Sequence, residues 1–161
     1  MKYNIEEIKE VDLAWAAGLI DGEGCLSIHK KSPSPSRPLA KSHTYQARMH
    51  VKMTHLPTIQ RFVDIFGFGS IYKEMPGKNS KKVAWKADFG AEQTEAALLA
   101  MMPYFVTKKE EAETLLAYIT ENRERSDFPK RLGVPKELVE MREEYYYKMR
   151  ELKKCEWMER Q

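Results

Sequence analysis

The sequence predicts an α+β domain in which helices cover one face of a four-stranded antiparallel sheet. Three observations predict it. Apolar residues switch along the chain between the 3.6-residue period of a helix and the two-residue period of a strand. The strand-like runs come as adjacent pairs, each joined by a turn-rich segment, which marks hairpins. Each run also alternates apolar with basic or hydrogen-bonding side chains, so one sheet face suits a core and the other a polar partner. Helices gathered on one face of such a sheet form a standard two-layer domain.

The elements follow in order. Asp12 is a fitting N-cap for a helix from Leu13. On it Ala14, Ala17, Gly18 and Asp21 follow three- and four-residue steps, a flat ridge on which a second helix could pack. After Gly24 the period becomes two: Leu26 and Ile28 alternate with Cys25, Ser27, His29 and Lys31. A Ser/Pro tract over 32–38 must be a loop. The next strand sets Tyr45, Ala47, Met49, Val51 and Met53 against Gln46, Arg48, His50 and Lys52. Residues 56–66 read as an amphipathic helix, with Pro57 early and Gly67 as its stop. A second hairpin turns over 75–80. It places Val83, Trp85, Ala87 and Phe89 inward and Ser70, Tyr72, Glu74, Lys82, Lys86 and Asp88 outward. A helix over about 91–102 stops at Pro103. Thr107 to Glu110 fits a capping box for the next helix. After a break over 126–135, a charged helix closes the chain with Leu138, Met141, Tyr145, Met149 and Leu152 as its apolar stripe.

The chain of 161 residues, 42% hydrophobic and 32% charged, fits a single domain with a real core, with a helical extension over about 135–156 beyond a core of about 10–122. No apolar run approaches the ~20 residues that span a bilayer. The N-terminal segment lacks a signal-peptide core. Two cysteines, Cys25 and Cys155, are too few for a disulfide framework, so an intracellular, reducing setting is expected. Net charge is only +3, yet residues 24–63 hold no Asp or Glu. That window carries seven Lys/Arg, among them Arg37, and all four histidines. A one-signed patch in a nearly neutral chain points to a polyanion.

Two carboxylates, Asp21 and Glu23, stand at the end of the first helix. The negative pole of the helix dipole disfavours each acid there by roughly 0.3–1 kcal/mol. Clustered hard oxygen atoms at such a cost suit a Mg²⁺-type cation. The four histidines, at 29, 43, 50 and 55, match no tight zinc-ligand spacing.

The run Ala16-Ala17-Gly18-Leu19-Ile20-Asp21-Gly22-Glu23-Gly24 resembles the signature of the LAGLIDADG homing endonucleases, with Ala in place of the first Leu. The resemblance extends to the element order, to Gly67-x-Gly69, and to the segment from Pro103 to Lys109. It implies a saddle-shaped sheet that docks on DNA. It implies that a chain with one motif copy works as a homodimer, its motif helices packing side by side along Ala14, Ala17, Gly18 and Asp21. Each protomer would then bring Glu23 to a shared centre, where Mg²⁺ (with Mn²⁺ or Ca²⁺ as substitutes in binding) separates two like charges. By the same resemblance Glu23 is the direct metal ligand, Gly22 adds its carbonyl, and Asp21 is structural. Lys108 takes the place of a family lysine near the reacting phosphate. A family Gln position at the end of the second strand falls on His55, with Thr54 the other candidate.

The implied activity is metal-assisted phosphodiester hydrolysis at a long pseudo-palindromic double-stranded site. A two-stranded ribbon fits the major groove. The base readers would come from Ser27, His29, Lys31, Gln46, Arg48, His50, Lys52, Tyr72, Glu74, Lys86 and Asp88, with Arg48 suited to guanine and Gln46 to adenine. Arg37 and Lys82, on the two loops, would meet flanking backbone. Two other readings share the fold: an intron-RNA maturase, and a DNA-binding regulator without chemistry.

Overall fold

The computed structural model describes residues 3–33, 42–77 and 81–158. Its elements keep the expected order: α1 (Glu10–Glu23), β1 (Gly24–Lys31), β2 (Thr44–Met53), α2 (Leu56–Phe66), β3 (Ser70–Glu74), β4 (Ala84–Phe89), α3 (Ala91–Met101), α4 (Lys109–Glu124) and α5 (Lys136–Met158). Arg37 and the Ser/Pro tract from residue 34 onward lie outside the described residues. Among the described residues no helix is long and apolar enough to cross a membrane.

The four strands form one antiparallel sheet in the order β1-β2-β4-β3. The two hairpins therefore meet at β2 and β4, where Met49–Met53 pair with Phe89–Trp85. Alternation works as expected. Leu26, Ile28, Ala47, Met49, Val51, Ala87 and Phe89 are buried on one face. Onto that face pack Ala16, Ala17 and Ile20 of α1, Ile59 and Phe62 of α2, Leu98 and Met101 of α3, and Leu115 and Tyr118 of α4, in one continuous core. Each large apolar side chain fully buried here is worth about 1.5–3 kcal/mol.

Two glycines set the entry to the second hairpin. Gly67 closes α2 in the left-handed conformation with φ 70°, and its N–H donates to the Val63 carbonyl at 2.9 Å. At Gly69, φ is 109°, and a Cβ would sit 2.9 Å from the Phe89 ring. Any side chain there would be strained and would also push into the core.

Two helix starts differ from the sequence reading. α1 begins at Glu10, with Lys9 as an N-cap that makes no side-chain bond. Asp12 lies inside the first turn instead, with Oδ1 3.3 Å from Arg61 Nη2, where the dipole favours an acid. α4 begins at Lys109 with Lys108 at the cap, and Thr107 does not close a capping box. The reason is a carboxylate from another helix, described below.

α5 runs along the outer edge of β1. Near one end of the strand, Glu143 takes hydrogen bonds from Lys30 Nζ and the Tyr45 hydroxyl. Near the other, Lys153 Nζ lies 3.3 Å from Cys25 Sγ. Lys30 to Cys25 along the strand and Glu143 to Lys153 along the helix each span about 15–17 Å. The helix thus covers an edge that would otherwise offer unpaired backbone groups. Burial, and then Glu143, push the Tyr45 hydroxyl up to about 12. Leu138, Met141 and Met149 of the expected stripe are buried.

Candidate active site

α1 runs directly into β1 at Gly24. A Cβ on Gly24 would lie 2.7 Å from Ile20 Cα, so only glycine lets the chain leave the helix and enter the strand at this point. The last four carbonyls of a helix lack intrahelical partners. Here the Ile20 carbonyl accepts the Gly24 N–H, and the Asp21 carbonyl accepts Lys108 Nζ at 2.5 Å. The lysine is a cation placed at the negative pole of α1.

The two acids of the motif have different fates. Asp21 Oδ2 accepts the Val106 N–H at 2.8 Å and Oδ1 accepts the Lys108 N–H at 2.9 Å. Its carboxylate thus does the capping that Thr107 was expected to do for α4. Burial alone would raise its pKa, but the backbone N–H groups of Val106 and Lys108 hold it below the usual aspartate value. Glu23, two residues on, is exposed and takes no hydrogen bond or ion pair among the described residues. The exposed Gly22 stands beside it, its carbonyl among the last four of the helix. A carboxylate and a backbone carbonyl are hard oxygen donors of the kind a Mg²⁺-type ion takes. Among the described residues no three His, Cys, Asp or Glu side chains stand close enough together to hold a metal.

β2 ends beside this corner. Gly24 pairs with Val51, so the register carried one step on brings Lys52 opposite position 23. Lys52 forms an ion pair with Glu74, and both are partly exposed. His55 lies beyond the strand as the backbone N-cap of α2, exposed, with Nδ1 2.8 Å from Thr58 Oγ1. It is at the same end of the sheet as Glu23.

The outward sheet face carries the remaining expected residues. Ser27 pairs with Arg48, His29 with Gln46, Lys31 with Thr44, His50 with Asp88, and Lys86 with both Lys52 and Tyr72. Its centre is linked: Arg48 Nη1 donates to Asp88 Oδ2 at 2.6 Å, and Lys86 Nζ lies 3.5 Å from Asp88 Oδ1. The His29 and His50 rings stand 6.4 Å apart, edge to face. Burial, then Lys86, lowers the pKa of both below the ordinary imidazole value. Lys31, Tyr72 and Lys82 are exposed.

The profile of the LAGLIDADG endonucleases matches residues 16–120, from within the motif helix into the last turns of α4. The chain belongs to the LAGLIDADG endonuclease family. Solved structures with the same fold include the homing endonuclease I-CvuI in complex with its target in the presence of Ca (17% identity, 88% of this chain and 82% of that one, TM-score 0.68). The archaeal intron-encoded I-Vdi141I complexed with DNA gives 10% identity, 89% and 84% coverage and a TM-score of 0.69. The meganuclease I-SmaMI bound to DNA gives 12% identity and a TM-score of 0.63, with 83% of this chain laid on 43% of that one. No match arises among curated proteins.

Within this LAGLIDADG chain the outward stripe of α1 differs from the expected ridge. Ala17 is fully buried, because it shares a face with Leu13 and Ile20, three and four residues away. Asp21 turns its carboxylate to residues 106–108 rather than outward. The exposed stripe is Val11, Ala14, Gly18 and Gly22. A Cβ on Gly18 or Gly22 would meet nothing within 4 Å, so nothing inside the protomer requires glycine at either position. Beside the stripe, Arg61 lies over the Trp15 ring at 4.4 Å, a contact that no local pattern in the sequence announces.

Proposed function

We propose that this protein is a site-specific endonuclease for double-stranded DNA that acts as a homodimer and hydrolyses phosphodiester bonds with a divalent metal. The observation that carries the reading is the state of Glu23. Asp21 is consumed by the start of α4, whereas Glu23 stands exposed at the end of α1 and has no partner among the described residues. An acid kept at the unfavourable pole of a helix without a partner among the described residues is suited to an outside ligand.

The stripe Val11, Ala14, Gly18, Gly22 supports self-association. Small residues let two helix backbones approach closely, and α1 of each protomer would then deliver its own Glu23 to one centre. That half of the longer I-SmaMI chain corresponds to this one also supports a two-protomer assembly. A divalent metal, when bound, would supply an activated water and offset charge on the phosphate. Glu23 and the Gly22 carbonyl would hold it. Lys108, held at the α1 end by the Asp21 carbonyl, would supply a cation to the reacting phosphate. His55 or Lys52 would face the same region from the end of β2. The outward sheet face would lie in the major groove and read bases.

The test is Glu23→Gln, assayed for cleavage with Mg²⁺ and for duplex affinity with Ca²⁺. Cleavage should vanish while affinity stays within a few-fold of wild type. Undiminished cleavage would remove Glu23 from the centre.

A further inference from the structure

The centre of the outward sheet face is one connected polar unit, and its geometry limits what it can read. Asp88 on β4 is its hub. The Asp88 side chain is only 12% exposed, yet it faces outward between two cations. One oxygen accepts Arg48 Nη1 at 2.6 Å, and the other lies 3.5 Å from Lys86 Nζ. Arg48 reaches it diagonally, since Asp88 pairs in register with His50. Arg48 Nη2 in turn donates to Gln46 Oε1 at 3.3 Å.

The donor inventory decides the rest. A guanidinium has five N–H groups and no acceptor, so Gln46 must turn its amide oxygen to Arg48. Arg48 spends one N–H on Asp88 and one on Gln46, which leaves three, enough for a two-pronged contact with the N7 and O6 of guanine. Arg48 engages one lone pair of the Gln46 amide oxygen, which fixes the end of the amide that faces the guanidinium and leaves its NH₂ free to donate. Asp88 turns one oxygen to Arg48 and the other toward Lys86. The N–H groups left on Arg48 and on the Gln46 amide are the unit's free donors.

We propose that Asp88 is a specificity-determining positioning residue, which holds Arg48 and through it Gln46 so that the pair reads the acceptor edge of guanine and of the base beside it. This rests on the DNA-recognition reading above and narrows it. To the Arg48–guanine pairing expected from the sequence it adds the residue that holds Arg48 and Gln46 in one orientation. It also gives Asp88 a second effect. By offsetting one of the two positive charges on Arg48 and Lys86, it weakens their pull on phosphates of any sequence.

The experiment is binding selection on a randomised duplex library with Ca²⁺, for wild type, Arg48→Ala, Asp88→Asn, Asp88→Ser and the Arg48→Ala/Asp88→Asn double variant. Wild type should prefer guanine at one position per half-site by roughly 5- to 150-fold, the range of one good bidentate contact. Arg48→Ala and either Asp88 variant should lose that preference at the same position, and the double variant should lose no more. Asp88→Asn should also bind non-target duplex more tightly, with the slope of log affinity on log salt steeper by about one phosphate's worth. Retained guanine preference in either folded Asp88 variant would overturn the proposal, as would loss at a position that Arg48→Ala leaves untouched. So would a wild type that selects a sequence without that guanine, whatever the variants do. A wild type that selects no sequence would overturn DNA recognition itself.

Discussion

Asp21 and Glu23 are the same chemistry two residues apart, and their neighbours give them opposite tasks. Asp21 accepts two backbone N–H groups from a segment 85 and more positions away and so fixes where α4 begins. Asp21→Ala leaves those N–H groups without their acceptor, at a cost of about 1–3 kcal/mol, nearer the lower figure because the site is partly open to water. A lowered urea midpoint would measure it. The pH dependence has a definite sign. The folded pKa lies below the unfolded value near 3.8, so the contribution is complete above that value and fades as pH falls through the folded one. The gap between wild type and Asp21→Ala should therefore be constant from pH 5 to 7 and should shrink in stronger acid. An equal gap at every pH would mean that the carboxylate is not held by those N–H groups. The separate roles of the two acids were expected from the resemblance to the family. What sequence could not supply was the partner. Contacts across such a separation depend on folded geometry, and for the same reason the Asp88–Arg48–Gln46 chain was legible only as a set of alternating polar residues.

Elements were more legible than contacts, because hydrophobic period is a local property. The switch of period at Gly24, the stop at Gly67 and the apolar stripe of α5 all hold. Helix starts were less so. Asp12 and Thr107 are both good capping residues by type, and both yielded to longer-range partners, Arg61 for one and the Asp21 carboxylate for the other. The glycines of α1 make a contrast that tests the element as a unit. At Gly24 a methyl group would enter the Ile20 backbone, whereas at Gly18 it would meet open space. Gly24→Ala should therefore destabilise the fold. Gly18→Ala should stabilise an isolated protomer by about 0.5–1 kcal/mol, since alanine restricts the unfolded chain and favours helix. If α1 packs on a second α1, Gly18→Leu should also weaken self-association at least tenfold, because the helices can no longer approach closely. Chemical denaturation and sedimentation equilibrium would separate the two effects. A stable Gly18→Leu variant that associates as wild type does would take the helix out of the interface.

At the scale of the whole molecule the question is how many copies make one centre. One protomer has a single motif helix and a single exposed Glu23, and no cluster of three metal-binding side chains among its described residues. If two copies of α1 complete the site, each carboxylate is half of a structure that works only when whole. Activity in a mixture then has a characteristic form. When wild type and Glu23→Gln are refolded together, random pairing leaves a fraction of intact dimers equal to the square of the wild-type fraction. At equal amounts, double-strand cleavage should drop to about a quarter of the unmixed rate rather than to a half. The same curve should appear when Glu23→Gln is replaced by any folded variant that associates but lacks the ligand. It should straighten when Gly18→Leu, which blocks pairing, is combined with Glu23→Gln, because that double variant no longer captures wild-type partners. A proportional fall with Glu23→Gln itself would mean that each protomer carries a complete centre, and the exposed Glu23 would need a partner within its own chain.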